Sequence, residues 1–440
     1  MAAAQGPLSG FRDMLAEQMI ARNAMLSTIQ AVYESYGFTP LKTPAIERLE
    51  TLTGKYGEEG DKLMYKFKDN GDRDVALRYD LTVPLARVVA QYSGSLPVPY
   101  KRYAVGEVWR GESPQAGRYR EFTQFDADIV GSDSPLADAE MVAMMSDTMT
   151  ALGANAVVRV NNRLLLDGLA AKAGVADSKQ ALRLISAVDK VEKMGREDCL
   201  EYIGKEFGDQ ARDAVGAYLS VDGEPRERLE RLRELLPDDD NVKAGIANLE
   251  SVFGTLEAAG YSADKVTFDQ TIARGLDYYT GIIYETTLQG APGLGSVCSG
   301  GRYDRLVKSL GGPDLPAVGT SIGVDRLYDG LQQLGKLQTA QTTTQVLITN
   351  FDAQAAPRYL QLATQLRQAG VAAEVYYETA KLGKQIGFAD KLNIPYVLIV
   401  GPKEIERGVV IVRDLASSEQ TEVPAEQLVE TINRLRKKSS

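Results

Sequence analysis

The chain has 440 residues, of which 44% are hydrophobic and 25% charged, and its formal net charge is −10. This length allows two or three domains with buried cores, and the negative charge argues against non-specific binding to polyanions. Residues 341–440 differ, because they carry 12 Lys and Arg against 11 Asp and Glu, and are the better candidate for contact with a polyanion. No apolar run approaches the roughly 18 to 20 residues that span a bilayer, and the start lacks a signal-peptide pattern, so a cytoplasmic protein with no membrane partner is expected.

Two residue types limit the chemistry. The sequence contains no histidine, which removes the usual general base and metal ligand and every Ser-His or Cys-His nucleophile pair. Its two cysteines, Cys199 and Cys298, lie far apart and supply neither a disulfide framework nor a thiolate zinc site. The remaining possibility is a reaction whose substrate brings its own nucleophile, driven by positioning and by neutralisation of charge.

The first third of the chain predicts helices and antiparallel strands. Apolar spacing indicates a helix over 12–36 that ends at Gly37, and an extended segment follows at 38–44. Alternation around the turn 69–72 predicts a hairpin within 63–79. Strand patterns at 100–109 and 121–130 flank a polar loop at 111–117 and predict a second, longer antiparallel hairpin.

The middle of the chain alternates between helical and strand patterns. Ser134 as N-cap and Pro135 at the first helical position predict a helix over 134–152. Successive amphipathic helices are expected over 162–260, as an insertion in the strand-rich part. Strand patterns return at 266–272, 282–288 and 296–299, and a helix is predicted at 323–334.

From residue 345 strands and helices alternate. Strands are predicted at 346–349, 371–376, 396–400 and 409–412, and helices at 354–369, 380–392 and 425–436. This alternation is typical of a small α/β domain with a mainly parallel sheet. The polar segment 338–344 is the expected linker.

Arginines are the most conspicuous chemical feature. The sequence has neither a P-loop nor a dinucleotide-binding glycine motif. It does place arginines at strand ends and loops, where their permanently charged, bidentate guanidinium groups suit phosphates or a substrate carboxylate. These arginines are Arg110, Arg118, Arg120, Arg274 and Arg326.

The motifs around these arginines resemble those of the histidyl-tRNA synthetases, which are class II aminoacyl-tRNA synthetases. Three matches are shared across the class: Tyr36-Gly37-Phe38 through Thr43-Pro44, Arg110-Gly111-Glu112 with Gly117 through Phe122 and Gln124, and Gly323-Val324-Asp325-Arg326-Leu327. Three others are specific to the histidine enzymes: Leu77 through Thr82, Arg274 through Gly281, and Ser299 through Asp304. The resemblance covers nearly the whole chain.

The resemblance implies an α+β catalytic domain on an antiparallel sheet at 1–337, with a helical insertion at about 162–262 and an α/β anticodon-binding domain at 345–440. The implied activity is histidine–tRNA ligation, with ATP and Mg²⁺, L-histidine and tRNA(His) as cofactors and partners. A homodimer built around the proline of the first motif is also implied. Gln115 and its neighbours are expected to approach the acceptor end of the tRNA.

The resemblance also assigns roles to residues. Arg110, Arg118, Phe122 and Arg326 are expected to bind ATP, and Glu121 to ligate magnesium. Histidine is expected to contact Asp80, Thr82, Arg110, Gln124, Asp128, Arg274, Tyr278 and Tyr279. Arg274, Arg110 and Gln124 would form the catalytic centre, with Arg274 contacting the α-phosphate and the substrate carboxylate.

Other interpretations stay open at this level. Tyr278 and Tyr279 could be core aromatics, and Asp80 and Asp128 could be capping or salt-bridge carboxylates. As a whole, the chain could be the non-catalytic regulatory paralogue of histidine biosynthesis, which lacks the anticodon-binding domain. It could also be an amino-acid-sensing or RNA-binding module, which would not need Arg110, Arg274 and Arg326 together.

Overall fold

The computed structural model describes residues 6–114, 117–273 and 278–439. Within these ranges the side chains of residues 58, 59, 292, 438 and 439 are not described. The chain forms two compact units, one comprising 6–13 and 25–337 and the other 14–24 and 338–439. No helix in the described parts is both long and apolar enough to cross a membrane.

The first part of the chain builds the frame around the cavity described below. Its elements are α1 (Ala16–Ser35), β1 (Thr39–Pro40), β2 (Ile46–Arg48), α2 (Leu49–Leu52), α3 (Gly57–Leu63), β3 (Lys66–Lys68), β4 (Asp74–Leu77) and α4 (Thr82–Tyr92). Strands β3 and β4 pair antiparallel, which confirms the first predicted hairpin. With β2 they form a separate three-stranded sheet.

The second hairpin consists of β5 (Tyr100–Trp109) and β6 (Glu121–Val130), which agree with the predicted strands residue for residue. They pair antiparallel over their whole length, with Arg102 opposite Asp128. Helix α5 (Pro135–Ala151) follows, and it begins as predicted because the Ser134 side chain accepts a hydrogen bond from the Leu136 amide. Strand β7 (Ala156–Asn162) comes next.

The segment from 163 to 258 is helical, as predicted. Its helices are α6 (Arg163–Lys172), α7 (Ser178–Val188), α8 (Val191–Met194), α9 (Arg196–Phe207), α10 (Asp209–Leu219), α11 (Pro225–Leu235) and α12 (Asp240–Ala258). The chain then returns to strands β8 (Val266–Phe268), β9 (Ile282–Leu288), β10 (Ser296–Arg302) and β11 (Ala317–Gly323), and to helix α13 (Val324–Gln333).

These strands form one eight-stranded sheet in the order β1-β5-β6-β11-β10-β9-β7-β8. All neighbours pair antiparallel except the two outer pairs, β1 with β5 and β7 with β8. The predicted antiparallel sheet is therefore confirmed. Strands β6, β11 and β10 lie at its centre and contribute residues to the lining of the cavity.

The second unit contains a five-stranded sheet. Its elements from residue 338 on are β12 (Val346–Ile348), α14 (Ala356–Gln368), β13 (Ala373–Val375), α15 (Leu382–Lys391), β14 (Tyr396–Ile399), α16 (Pro402–Arg407), β15 (Val409–Asp414), β16 (Gln420–Pro424) and α17 (Leu428–Ser439). The strand order is β13-β12-β14-β15-β16.

The expectation of a mainly parallel sheet in this unit was only half right. Strands β13, β12 and β14 pair parallel through helical crossovers, but β15 and β16 pair antiparallel. The chain reverses after the short α16, and a turn at 415–419 leads into β16, a strand that the sequence pattern did not predict. The sheet is packed against α14 and α17 through buried residues such as Tyr359, Leu362 and Ile432.

Candidate active site

A cavity of about 370 Å³ opens on the central strands of the first unit. Ten residues expected from the sequence line it: Asp80, Thr82, Arg110, Arg118, Phe122, Gln124, Asp128, Tyr278, Tyr279 and Arg326. They come from the junction of β4 and α4, from β6 and the loop before it, from the segment before β9, and from the first turn of α13. Residues far apart in sequence therefore meet in one pocket that combines carboxylates, phenols and guanidinium groups.

Three of the expected features are placed differently or not at all. Arg274 and Gln115 lie outside the described residues. Glu121, expected to ligate magnesium, is not among the residues that line the cavity, and its Oε2 accepts a hydrogen bond of 2.7 Å from Trp109 Nε1. Within the described parts of the chain, no group of three or more acidic or cysteine side chains has the arrangement of a metal site.

Asp128 is a buried carboxylate of the cavity that is held by an ion pair and a hydrogen bond. It is 2% exposed, and its Oδ2 lies 2.6 Å from Arg102 Nη2. The Tyr303 hydroxyl donates a hydrogen bond to Oδ1. Burial raises the pKa of Asp128, and the nearby positive charge of Arg102 opposes that shift. The carboxylate is thus fixed in position by Arg102, which no sequence motif included, and by Tyr303, which lies in the motif from Ser299 through Asp304 but was assigned no role.

Arg102 connects two parts of the cavity wall. Its side chain is fully buried, and Nη2 also donates to the Leu81 carbonyl at 3.1 Å. Leu81 stands between Asp80 and Thr82, so one guanidinium holds both the β4–α4 junction and Asp128. A charged residue in a strand usually faces solvent, but here the antiparallel register sets Arg102 opposite Asp128 and buries the pair.

Asp80 is held by a separate set of donors. Its Oδ1 accepts a hydrogen bond of 2.9 Å from the Tyr56 hydroxyl and one of 3.0 Å from the Val83 amide at the start of α4. Burial raises the pKa of Asp80, while these donors and the charge of Arg110 lower it. Tyr56 is a further residue near the site that the sequence did not reveal, because it lies 24 positions before Asp80 and outside the family motifs.

Aromatic rings and a bare backbone surface shape the rest of the cavity. The ring of Tyr278 lies 5.1 Å from that of Tyr279 and 5.8 Å from that of Tyr303, both in edge-to-face contact. Across from Asp128 stands Gly319, where an added Cβ would lie 1.9 Å from Asp128 Oδ1. A Cβ on Gly300 would lie 2.1 Å from the Gly319 carbonyl. Any side chain at either position would clash with these atoms, so both positions require glycine. No pattern in the sequence indicated this steric requirement.

Among the residues that the structure describes, three arginines contribute guanidinium groups to the lining of the cavity. Arg110 lies over the Tyr79 ring at 4.4 Å and over the Phe122 ring at 5.1 Å, and Arg326 Nη1 donates to the Ser296 carbonyl at 2.8 Å. Arg118 Nη1 lies 3.5 Å from Glu112 Oε2, and its side chain is 42% exposed. Arg110 and Arg326 are therefore oriented by aromatic or carbonyl contacts, whereas Arg118 is the most accessible to a ligand.

Asp126 is a buried acid beside this site that the sequence also missed. It lies one pleat from Asp128 on the same face of β6. Burial raises its pKa to about 7, since the effect of Arg102, which lowers it, is smaller, and Asp128 raises it further. The neutral carboxyl is therefore the form that the fold favours up to neutral pH.

The stability of the protein should consequently depend on Asp126 and on pH. A carboxyl whose pKa is raised in the folded state contributes stability below its ordinary pKa and loses that contribution as pH rises through about 7. Relative to wild type, Asp126→Asn should become progressively more stable between pH 5 and pH 7, by up to about 1.4 kcal/mol per pH unit. Urea unfolding at pH 5, 6, 7 and 8 measures the free energy of unfolding of both proteins. A difference between the two that stays the same at all four pH values would contradict the prediction.

The fold and the cavity define a class of protein. An antiparallel sheet that carries Gln124 on its central strand β6, with Arg110 in the loop after β5 and Arg326 at the start of α13 around the same pocket, together with a separate C-terminal α/β unit, is the catalytic and anticodon-binding arrangement of a class II aminoacyl-tRNA synthetase.

Comparison with known proteins specifies the family. The family model described as histidyl-tRNA synthetase matches residues 10–327, and the one described as anticodon binding domain matches residues 345–435. The chain belongs to the histidyl-tRNA synthetase family.

Individual relatives match nearly the full length of the chain. A histidine–tRNA ligase of Rhodopirellula baltica is 44% identical over 419 residues, which cover 94% of this chain and 94% of that protein. One of Gloeobacter violaceus is 41% identical and covers 95% and 96%. The crystal structure of histidyl-tRNA synthetase from Nostoc sp. PCC 7120 superposes with a TM-score of 0.87 at 36% identity, covering 98% of this chain and 99% of that one.

Proposed function

We propose that the protein is a histidine–tRNA ligase that activates L-histidine with ATP and transfers it to tRNA(His). The observation that carries this proposal is the single cavity in which the buried carboxylates of Asp80 and Asp128 share a wall with the guanidinium groups of Arg110, Arg118 and Arg326. Carboxylates suit an ammonium group and an imidazole N–H, and guanidinium groups suit a triphosphate and a carboxylate.

The first step needs no nucleophile from the protein. A carboxylate oxygen of histidine attacks the α-phosphorus of ATP, the new O–P bond forms, and the bond to the β-phosphate oxygen breaks to release pyrophosphate. The negative charge on the phosphate oxygens is neutralised by Arg110, Arg118 and Arg326. Arg274 is proposed as the central electrostatic catalyst from its position in the family motif alone.

Magnesium would enter this reaction as a complex with ATP. Mg²⁺ is commonly held by substrate phosphates, water and only one or two carboxylates, which fits a cavity with no preformed cluster of acidic ligands among the described residues. Glu121 remains the carboxylate proposed from the family motif, although in this structure it pairs with Trp109.

The histidine side chain would be recognised by Asp128 and Tyr279. Asp128 is a buried acceptor fixed by Arg102 and Tyr303, and Tyr279 can donate or accept through its hydroxyl. A site built to form hydrogen bonds with its substrate rejects analogues that lack the matching groups, because its own polar atoms would stay unpaired. Gln124, oriented through a 2.8 Å hydrogen bond from Nε2 to Ser321 Oγ, would contact the substrate carboxylate.

In the second step the terminal ribose hydroxyl of the tRNA attacks the carbonyl carbon of the adenylate, and AMP leaves. The C-terminal domain, residues 345–440, would read the anticodon. We further propose that the enzyme acts as a homodimer in the cytoplasm.

The match to an anticodon-binding domain over 345–435 favours the ligase function over the regulatory paralogue, which lacks such a domain.

Pyrophosphate exchange tests the proposal. The purified protein should incorporate labelled pyrophosphate into ATP only when L-histidine and Mg²⁺ are present, and should charge a tRNA(His) transcript. Histidinol, which lacks the carboxylate nucleophile, is the matched control and should support no exchange. Absence of exchange with histidine, in a protein that still binds ATP, would rule out the ligase function.

A further inference from the structure

An N-terminal arm, residues 6–13, lies along the loop and strand that carry the ATP-binding motif. The Gly10 carbonyl accepts a hydrogen bond of 2.8 Å from the Arg120 amide, and Arg120 Nη1 donates to the Ser9 carbonyl at 3.2 Å. Phe11 contacts the Tyr65 ring edge-on at 6.3 Å. The arm is thus attached to the catalytic unit by both backbone and side-chain contacts.

Arg12 makes contacts of a different kind. Its Nη1 donates to the Tyr119 hydroxyl at 2.8 Å, its guanidinium carbon lies 3.8 Å from the centre of the Tyr119 ring, and Nη2 pairs with Asp325 Oδ1. Tyr119 and Asp325 both line the cavity, whereas Arg12 is not among its lining residues. Arg12 therefore lies outside the cavity lining and contacts two of the residues that form it.

The positions of these two residues give the contacts their meaning. Tyr119 immediately follows Arg118, and Asp325 immediately precedes Arg326, so Arg12 binds a direct neighbour of each of two arginines proposed to hold ATP. The second oxygen of Asp325 accepts a hydrogen bond of 2.8 Å from the Thr123 amide on β6. Arg12, Asp325 and Thr123 thus connect the arm, the start of α13 and the central sheet.

The charge of Asp325 gives a second reason to connect Arg12 with phosphate binding. Asp325 is a carboxylate in the wall of a cavity that would receive a polyphosphate, and its side chain is only 7% exposed. A buried negative charge near phosphate oxygens opposes their binding unless a cation neutralises it. Arg12, with a side chain 24% exposed, supplies that cation from outside the cavity.

We propose that Arg12 is a positioning residue for ATP. Through its contacts with Tyr119 and Asp325, Arg12 holds Arg118 and Arg326 in place, and it neutralises the carboxylate of Asp325. This inference rests on the proposed function, since it assumes that those arginines bind ATP. It assigns no contact between Arg12 and any ligand. The binding of histidine, which Asp80 and Asp128 would position, should not change when Arg12 is replaced.

Equilibrium binding tests the inference without requiring catalysis. Arg12→Ala should weaken the binding of MgATP about tenfold and leave the binding of L-histidine within about twofold, as measured by calorimetry on the full chain. Arg12→Lys, which keeps the charge but loses the planar fork and its stacking on Tyr119, should fall between wild type and Arg12→Ala. Phe11→Leu is the matched control in the arm, and it should bind both ligands as the wild type does.

The outcomes are distinct. A tenfold loss confined to ATP, with an unchanged thermal unfolding midpoint, supports the positioning role. Unchanged ATP binding overturns it, and so does an equal loss for ATP and histidine, because that result would mean that Arg12 only supports the fold. Normal ATP binding by the wild type without histidine-dependent pyrophosphate exchange would refute the ligase function and leave this inference standing.

Discussion

Replacing Asp128 by asparagine is expected to lower kcat/KM for histidine in pyrophosphate exchange about 100-fold or more, with the KM for ATP within about twofold of wild type. Asparagine keeps the size of the side chain but loses the negative charge that would accept an imidazole N–H. It also leaves the fully buried Arg102 without its ionic partner. Losing the hydrogen bond to a charged acceptor in a desolvated site costs up to about 3 kcal/mol, which corresponds to a factor of about 150.

Asp126→Asn provides the matched control for this experiment. Asp126 lies on the same face of the same strand and is equally buried, but it is not among the residues that line the cavity. Its replacement should change kcat/KM for histidine less than fivefold at pH 7. Equal losses in the two variants would show that the acids act through the fold, and that Asp128 does not read the substrate.

Replacing Arg102 by methionine is expected to lower the free energy of unfolding by about 3 to 5 kcal/mol at pH 7. Methionine fills a similar volume, but it leaves Asp128 and Asp126 buried without a compensating cation, and removing one member of a buried ion pair has a cost of this size. The Leu81 carbonyl also loses its donor. Urea unfolding at pH 7 measures the effect.

Two further variants separate charge from packing. The double variant with Arg102→Met and Asp126→Asn should recover part of the lost stability, because one of the uncompensated acids is gone. Arg48→Met, at an exposed pair with Glu50, should change the stability by less than about 0.5 kcal/mol. A loss after Arg102→Met that Asp126→Asn does not reduce would point to altered packing, and away from unbalanced charge, as its cause.

The local structure of the chain was predictable where one pattern dominated. Strands β5 and β6 alternate clearly around a polar loop, and α5 has an N-cap and a proline in the positions that start a helix. Strand β16 was missed because its residues are mostly polar and four of its five are exposed, so no burial pattern marks it. The pattern predicts a strand only where one face is buried.

The cavity was predictable residue by residue only through its family motifs. Composition could not have brought Asp80, Asp128 and Arg326 together, since the sheet order β6-β11-β10 depends on pairings over long stretches of sequence. The position of Arg102 could have been predicted from the sequence. Extending the register of the predicted hairpin away from its loop places residue 102 opposite residue 128. Tyr56 and Arg12 give no such signal, since they approach the site from separate segments.

The absence of histidine from the chain has a consequence for spectroscopy of the bound substrate beside Asp128. Its carboxylate, buried and fixed by Arg102 and Tyr303, belongs to a chain that contains no imidazole group at all. Histidine labelled with nitrogen-15 and bound to this protein would therefore give the only imidazole resonances in the sample. The tautomer and protonation state of a bound substrate could be followed directly across the pH range in which free histidine titrates, near 6.5, without assigning a single protein signal.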